Sequence, residues 1–136
     1  MGQPAAKQGD KVTGVCTHTE LVNQPSGPPV AVPFPSQFNG VIDGGLSSNV
    51  RIMKRYAATQ DSTATNTPSH HPMAPPAPGS VFKPPMPINK ASINKGSSTV
   101  NINGKSAARH GDTAKTCDEL QNPGTVIADG SVNIGG

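Results

Sequence analysis

Six side chains in this chain of 136 residues are donors of the kind that hold zinc: Cys16, His18, His70, His71, His110 and Cys117. Zinc takes four nitrogen or sulfur ligands in a tetrahedron, and a structural site fills all four positions with protein. Local spacing is a weak signal, because the chain has no Cys-x-x-Cys pair. Placement says more. Each of three Ala-Ala segments is followed by a loop with candidates: Cys16 and His18 after the first, His70 and His71 after the second, Cys117 after the third. If the loops converge, one ligand from each comes with the fold. Each candidate also has a plainer reading. Cys16 reads as a small buried residue, and a Cys16–Cys117 disulfide as a product of an oxidising compartment. His70 and His71 read as a solvated pair, and His110 as a histidine packed within a strand.

Other chemistry is harder to find. No nucleophile, base and carboxylate stand in a pattern that supports an enzyme. Asp10, Asp61 and Asp112 recur with the Ala-Ala segments and read as turn residues. A catalytic zinc keeps one position open for water. Here the histidines and cysteines suffice to fill all four, so a closed site and no enzyme activity are expected, with a zinc hydrolase as the minor alternative.

The elements that must position these residues are set by an internal repeat. The segment from Ser98 to Asp112 reads S-T-V-N-I-N-G-K-S-A-A-R-H-G-D. Pro4-Ala5-Ala6-Lys7 and Gly9-Asp10 match its end, as do Ala57-Ala58-Thr59-Gln60-Asp61. Asn49-Val50-Arg51-Ile52 and Ser131-Val132-Asn133-Ile134 match its beginning. The alternation V-x-I with glycine turns predicts β-hairpins over 41–52, 91–102 and 125–134, and Asn103-Gly104 is a further tight-turn signal. Segments 11–40, 62–87 and 113–123 are predicted as loops, the first two crowded with prolines that exclude helix and central strand. No longer segment carries a helical period, so an all-β fold and one domain over 1–136 are expected.

Only 24 residues are Leu, Ile, Val or Phe, and there is no Trp, so the core must be thin. Thin small folds need a staple: a disulfide, a metal or a partner. The formal charge is +3 with no basic cluster and few aromatic residues, which argues against nucleic acid. No run of 18 apolar residues and no basic head before an apolar run are present, so neither a membrane helix nor a cleaved signal peptide is expected.

The repeat resembles the PAAR family. Gly96-Ser97-Ser98-Thr99-Val100-Asn101-Ile102-Asn103-Gly104 and Ala107-Ala108-Arg109-His110-Gly111-Asp112 carry the likeness, with Pro4-Ala5-Ala6-Lys7 as a second copy. The middle copy departs, lacking the Pro, the Arg and the Gly. The resemblance implies a small cone of three β-hairpin repeats about an approximate threefold axis, with long Pro-rich loops and one structural Zn2+ near the apex. It implies a tip on the trimeric spike of a contractile injection machine: type VI secretion, an extracellular phage-tail-like particle, or a phage tail. One chain per trimer, possible effector cargo and brief contact with a target membrane follow from that role. So do synthesis in the cytoplasm and export at the end of the spike. The family's preference for three histidines and one cysteine points to His18, Cys117, His70 and His71, with His110 as the alternative for one of the last pair and Cys16 left out. The competing view is a Pro-rich adaptor that folds on its partner.

Overall fold

The computed structural model describes residues 2–70, 80–84, 88–116 and 123–136. Among them there is no helix, and the chain is all β. In chain order the strands are β1 (Gln3–Pro4), β2 (Lys11–Val22), β3 (Val30–Gly44), β4 (Arg51–Ile52), β5 (Arg55–Tyr56) and β6 (Thr63–Asn66). They continue with β7 (Ser80–Phe82), β8 (Lys90–Ile93), β9 (Asn101–Ile102), β10 (Lys105–Ser106), β11 (Thr113–Lys115), β12 (Pro123–Ile127) and β13 (Asn133–Ile134).

Three antiparallel pairs, β2–β3, β6–β8 and β11–β12, join edge to edge and close, because β12 also pairs with β2. Closure removes the free edges that a sheet of this size would otherwise present. Below this ring sit three small hairpins: β4–β5, β9–β10, and β1–β13. The third is made by the two ends of the chain.

Between ring and hairpins lie the Ala-Ala segments, and here the repeat closes on itself. The amide of Ala6 donates to the carbonyl of Ala108, that of Ala108 to Ala58, and that of Ala58 to Ala6, at 2.9–3.1 Å. The amides of Gln8, Gln60 and His110 reach the carbonyls of Tyr56, Ser106 and Pro4, a second ring that runs in the opposite cyclic sense. All three central alanines are fully buried. A larger side chain has no space where three backbones come within hydrogen-bond distance, which is the physical reason for alanine there.

Two apolar layers flank the alanines. Above, Val12, Ala64 and Ala114 occupy equivalent places with Ile42, Ile93 and Val126, all buried. Below, Ala5, Ala57 and Ala107 pack with Ile52, Ile134 and the partly buried Ile102. Arg51, Asn101 and Asn133, one residue before those isoleucines, are exposed, as strand alternation requires.

Several expectations need correction. The hairpins do not span 41–52, 91–102 and 125–134: residues 41–44, 90–93 and 123–127 end the ring strands, and the base hairpins begin only afterwards. Met53-Lys54 and Asn103-Gly104 form their turns, with positive φ at both central residues. Residues 11–40 are not a loop but most of β2 and β3. Pro33 and Pro35 are tolerated because both stand on the parity of β3 whose nitrogens face away from β2. There β3 has no strand partner among the described residues. The middle repeat is also registered differently. Asp61, at φ 77°, stands where Gly9 and Gly111 stand at 93° and 87°. The capping role of Asp10 and Asp112 passes to Ser62: the amide of Thr59 donates to its Oγ at 2.9 Å, as Lys7 and Arg109 donate to Asp10 and Asp112 at 3.0 and 2.9 Å.

The open third hairpin gives a direct test. Ile134 pairs with Gln3 as Ile52 pairs with Arg55 and Ile102 with Lys105, so Gly135 and Gly2 stand at the two turn positions. A circular permutant joining Gly135 to Gly2, without Met1 and Gly136, and opened between Met53 and Lys54 should fold with an unchanged circular dichroism spectrum. Loss of the β signal in this permutant would show that the ends do not complete a third repeat.

Candidate metal centre

Strand β2 turns Val12, Cys16, His18 and Glu20 to the interior, with exposures of 0, 0, 4 and 0 %. A period of two places the last three in one row, about 6–7 Å between successive residues. The row leaves the apolar core at Cys16 and enters polar ground at His18. Phe38, fully buried on β3, fills the core beneath it. It fits because Gly40 leaves room: a Cβ there would lie 2.6 Å from the Phe38 ring.

His70 comes to this row from the second excursion. Its amide donates to Asn89 Oδ1 at 2.7 Å, and Asn66 Nδ2 shares the same oxygen at 3.3 Å. Asn66 Oδ1 in turn accepts from the Asn39 amide of β3 at 2.9 Å. This relay of asparagines fixes the backbone of His70 against β3. The rings of His18 and His70 then lie 4.9 Å apart between centroids, with Phe82 edge-on to His18 at 5.7 Å and Phe38 6.3 Å from His70.

One ligand atom each from Cys16, His18 and His70 lies within 4.8 Å of the others. In a zinc tetrahedron, with bonds of about 2.0–2.3 Å, donors stand roughly 3.3–3.8 Å apart, so about 1 Å of contraction brings these three together. The donors suit that ion: one sulfur and two imidazole nitrogens, with no water-exposed carboxylate in the set. His70 Nε2 is buried and has no hydrogen-bond partner among the described residues. A buried polar atom in that state needs an explanation, and a cation supplies one.

His18 and His70 come together. Cys16, set aside from the sequence, is the third member. His110 stands elsewhere, accepting the Ala128 amide on Nδ1 at 3.2 Å beside the first repeat. His71 and Cys117 lie outside the described residues. The signal for Cys16 was the spacing Cys16-x-His18, which puts both on one face once the segment is a strand. Glu20, the next residue of the row, also went unread; Ser80 Oγ donates to its carboxylate at 2.8 Å.

A comparison with protein families matches the PAAR motif over residues 35–121, more than half of the chain. The chain belongs to the PAAR family. No curated protein matches it as a close relative. The family is one of structural spike tips, and the fold has the corresponding form: three repeats closed about one axis, a broad base of hairpins and a narrower extension of β2 and β3. The match begins at residue 35, yet the Pro4-Ala5-Ala6-Lys7 copy before it completes the ring of the three repeats.

Proposed function

We propose that this chain caps the trimeric spike of a contractile injection machine, one chain on one trimer, as a structural tip without catalysis. The observation that carries the reading is the cyclic set of alanine hydrogen bonds. It gives a single chain three near-equivalent sectors, each with its own base hairpin. A trimeric β spike ends in three identical sets of strand edges, and one such chain meets all three at once. The base offers main-chain groups with partly exposed apolar side chains, Met53 at 50 % and Val132 at 41 %.

In this reading Cys16, His18 and His70 hold one structural Zn2+, with the fourth donor from Cys117 or His71. The ion ties the second excursion to the long β2–β3 arm, so the narrow end keeps its shape when it meets a membrane. The chain leaves the cell on the spike, with effector cargo free to dock on the arms.

Affinity measurements with the cognate spike trimer test this. Binding by strand edges and apolar contact should weaken less than about tenfold between 50 and 200 mM salt, where a protein held by about six or more nucleic-acid phosphates loses roughly 10³ or more. A loss of that size, or no binding to any spike encoded with this chain, would overturn the proposal.

A further inference from the structure

Two buried polar side-chain atoms among the described residues have no hydrogen-bond partner: His70 Nε2 and Ser36 Oγ. Both residues line one cavity of about 310 Å³, together with Gln37, Asn39, Asn66 and Thr67. The metal reading above accounts for the histidine. It leaves the serine unexplained. Ser36 is only 5 % exposed, and burying a hydroxyl without a partner costs free energy.

Register places it. Ser36 lies directly opposite Cys16 in the β2–β3 ladder. Directly opposed residues share a face, with Cβ atoms about 4.5–5.5 Å apart. Both side chains point inward, Cys16 with no exposure at all. Rotation about one bond brings the Ser36 hydroxyl within reach of the sulfur. A cysteine ligates as thiolate, and a thiolate deep in an apolar core needs donors around it.

We propose that Ser36 is a positioning residue of the metal centre, its hydroxyl donating a hydrogen bond to the Cys16 thiolate when the ion is bound. The proposal rests on the metal reading above. The hydroxyl settles the orientation of the sulfur and offsets part of its charge. It thereby fixes how firmly the long arm holds the ion.

The test compares the full chain with Ser36→Ala and Ser36→Thr. Alanine removes only an unbonded hydroxyl, so the fold persists. Threonine keeps the donor, and the neighbouring cavity gives its methyl room. Zinc affinity is measured by competition with a chromophoric chelator, and cobalt(II) is titrated as a spectroscopic probe. The alanine variant should bind zinc about 10-fold or more weakly. Its thiolate-to-cobalt charge-transfer band should move to lower energy, while the ligand-field bands keep the four-coordinate pattern of wild type. Threonine should restore both. If wild type takes up cobalt and the alanine variant matches it in band position and affinity, the role of Ser36 is refuted and the metal reading stands. A wild-type chain that takes up no cobalt or zinc overturns both.

Discussion

Stripping the proposed zinc with a chelator should lower the melting temperature of this protein by roughly 10–20 °C. The size follows from linkage. An ion present at about a thousand times its dissociation constant contributes about 4 kcal/mol to the folded state. In a chain of this length each kcal/mol corresponds to roughly 3–5 °C. The effect is large here because the core is thin. Among the described residues, ten of the nineteen buried core residues are alanines, and the three largest fully buried side chains are Phe38, Ile42 and Ile93. Cys16→Ser and His18→Ala should each remove most of the zinc and reproduce the chelator's effect. Of Cys117→Ser and His71→Ala, one should do the same and the other should not, which names the fourth donor. A metal-free preparation with unchanged melting, measured by calorimetry with and without added zinc, would sink the idea.

The second large effect is expected at the opposite kind of place, where nothing but packing acts. Ala58→Leu puts three additional carbons at the point where three backbones exchange hydrogen bonds at 2.9–3.1 Å. Overpacking of this sort costs about 1–3 kcal/mol, and here the backbone ring cannot part without losing hydrogen bonds, so the upper end applies. A fall in melting temperature of about 10 °C or more is expected, with zinc content unchanged. Ala31→Leu, on an exposed position of β3, is the control and should change neither. If the two leucine variants melt together, the alanine ring is not a constraint on the fold.

The base of the molecule was legible in the sequence because its signals are local. Asn103-Gly104 names its own turn, and Val-x-Ile alternation separates Ile102 from Asn101. The Ala-Ala pairs mark the tight centre. The ring strands were less legible. Segment 11–40 reads as loop because five prolines stand in it, and what makes Pro33 and Pro35 acceptable is the parity of a register that forms with residues 17 and 19. That register is a property of the pair, invisible in either strand alone. Missing strand β2 then hid the row of Cys16, His18 and Glu20. With 11–22 read as a loop, Cys16 and His18 have no common face; as a strand they share one with Glu20. The middle repeat was misaligned for a similar reason. Asp61 looks like the aspartate of Gly-Asp, but its positive φ gives it the place of the glycine, and Ser62 takes over the cap.

The central claim is that three repeats in one chain answer the three subunits of a spike. Native mass spectrometry of the tip mixed with its cognate spike, at increasing ratio, tests it most directly. The account predicts a single species of one tip chain on one trimer that does not grow with excess tip. A complex that fills to three tip chains per trimer would mean that each chain meets one subunit, and the approximate threefold of the repeats would then have nothing to do with the spike.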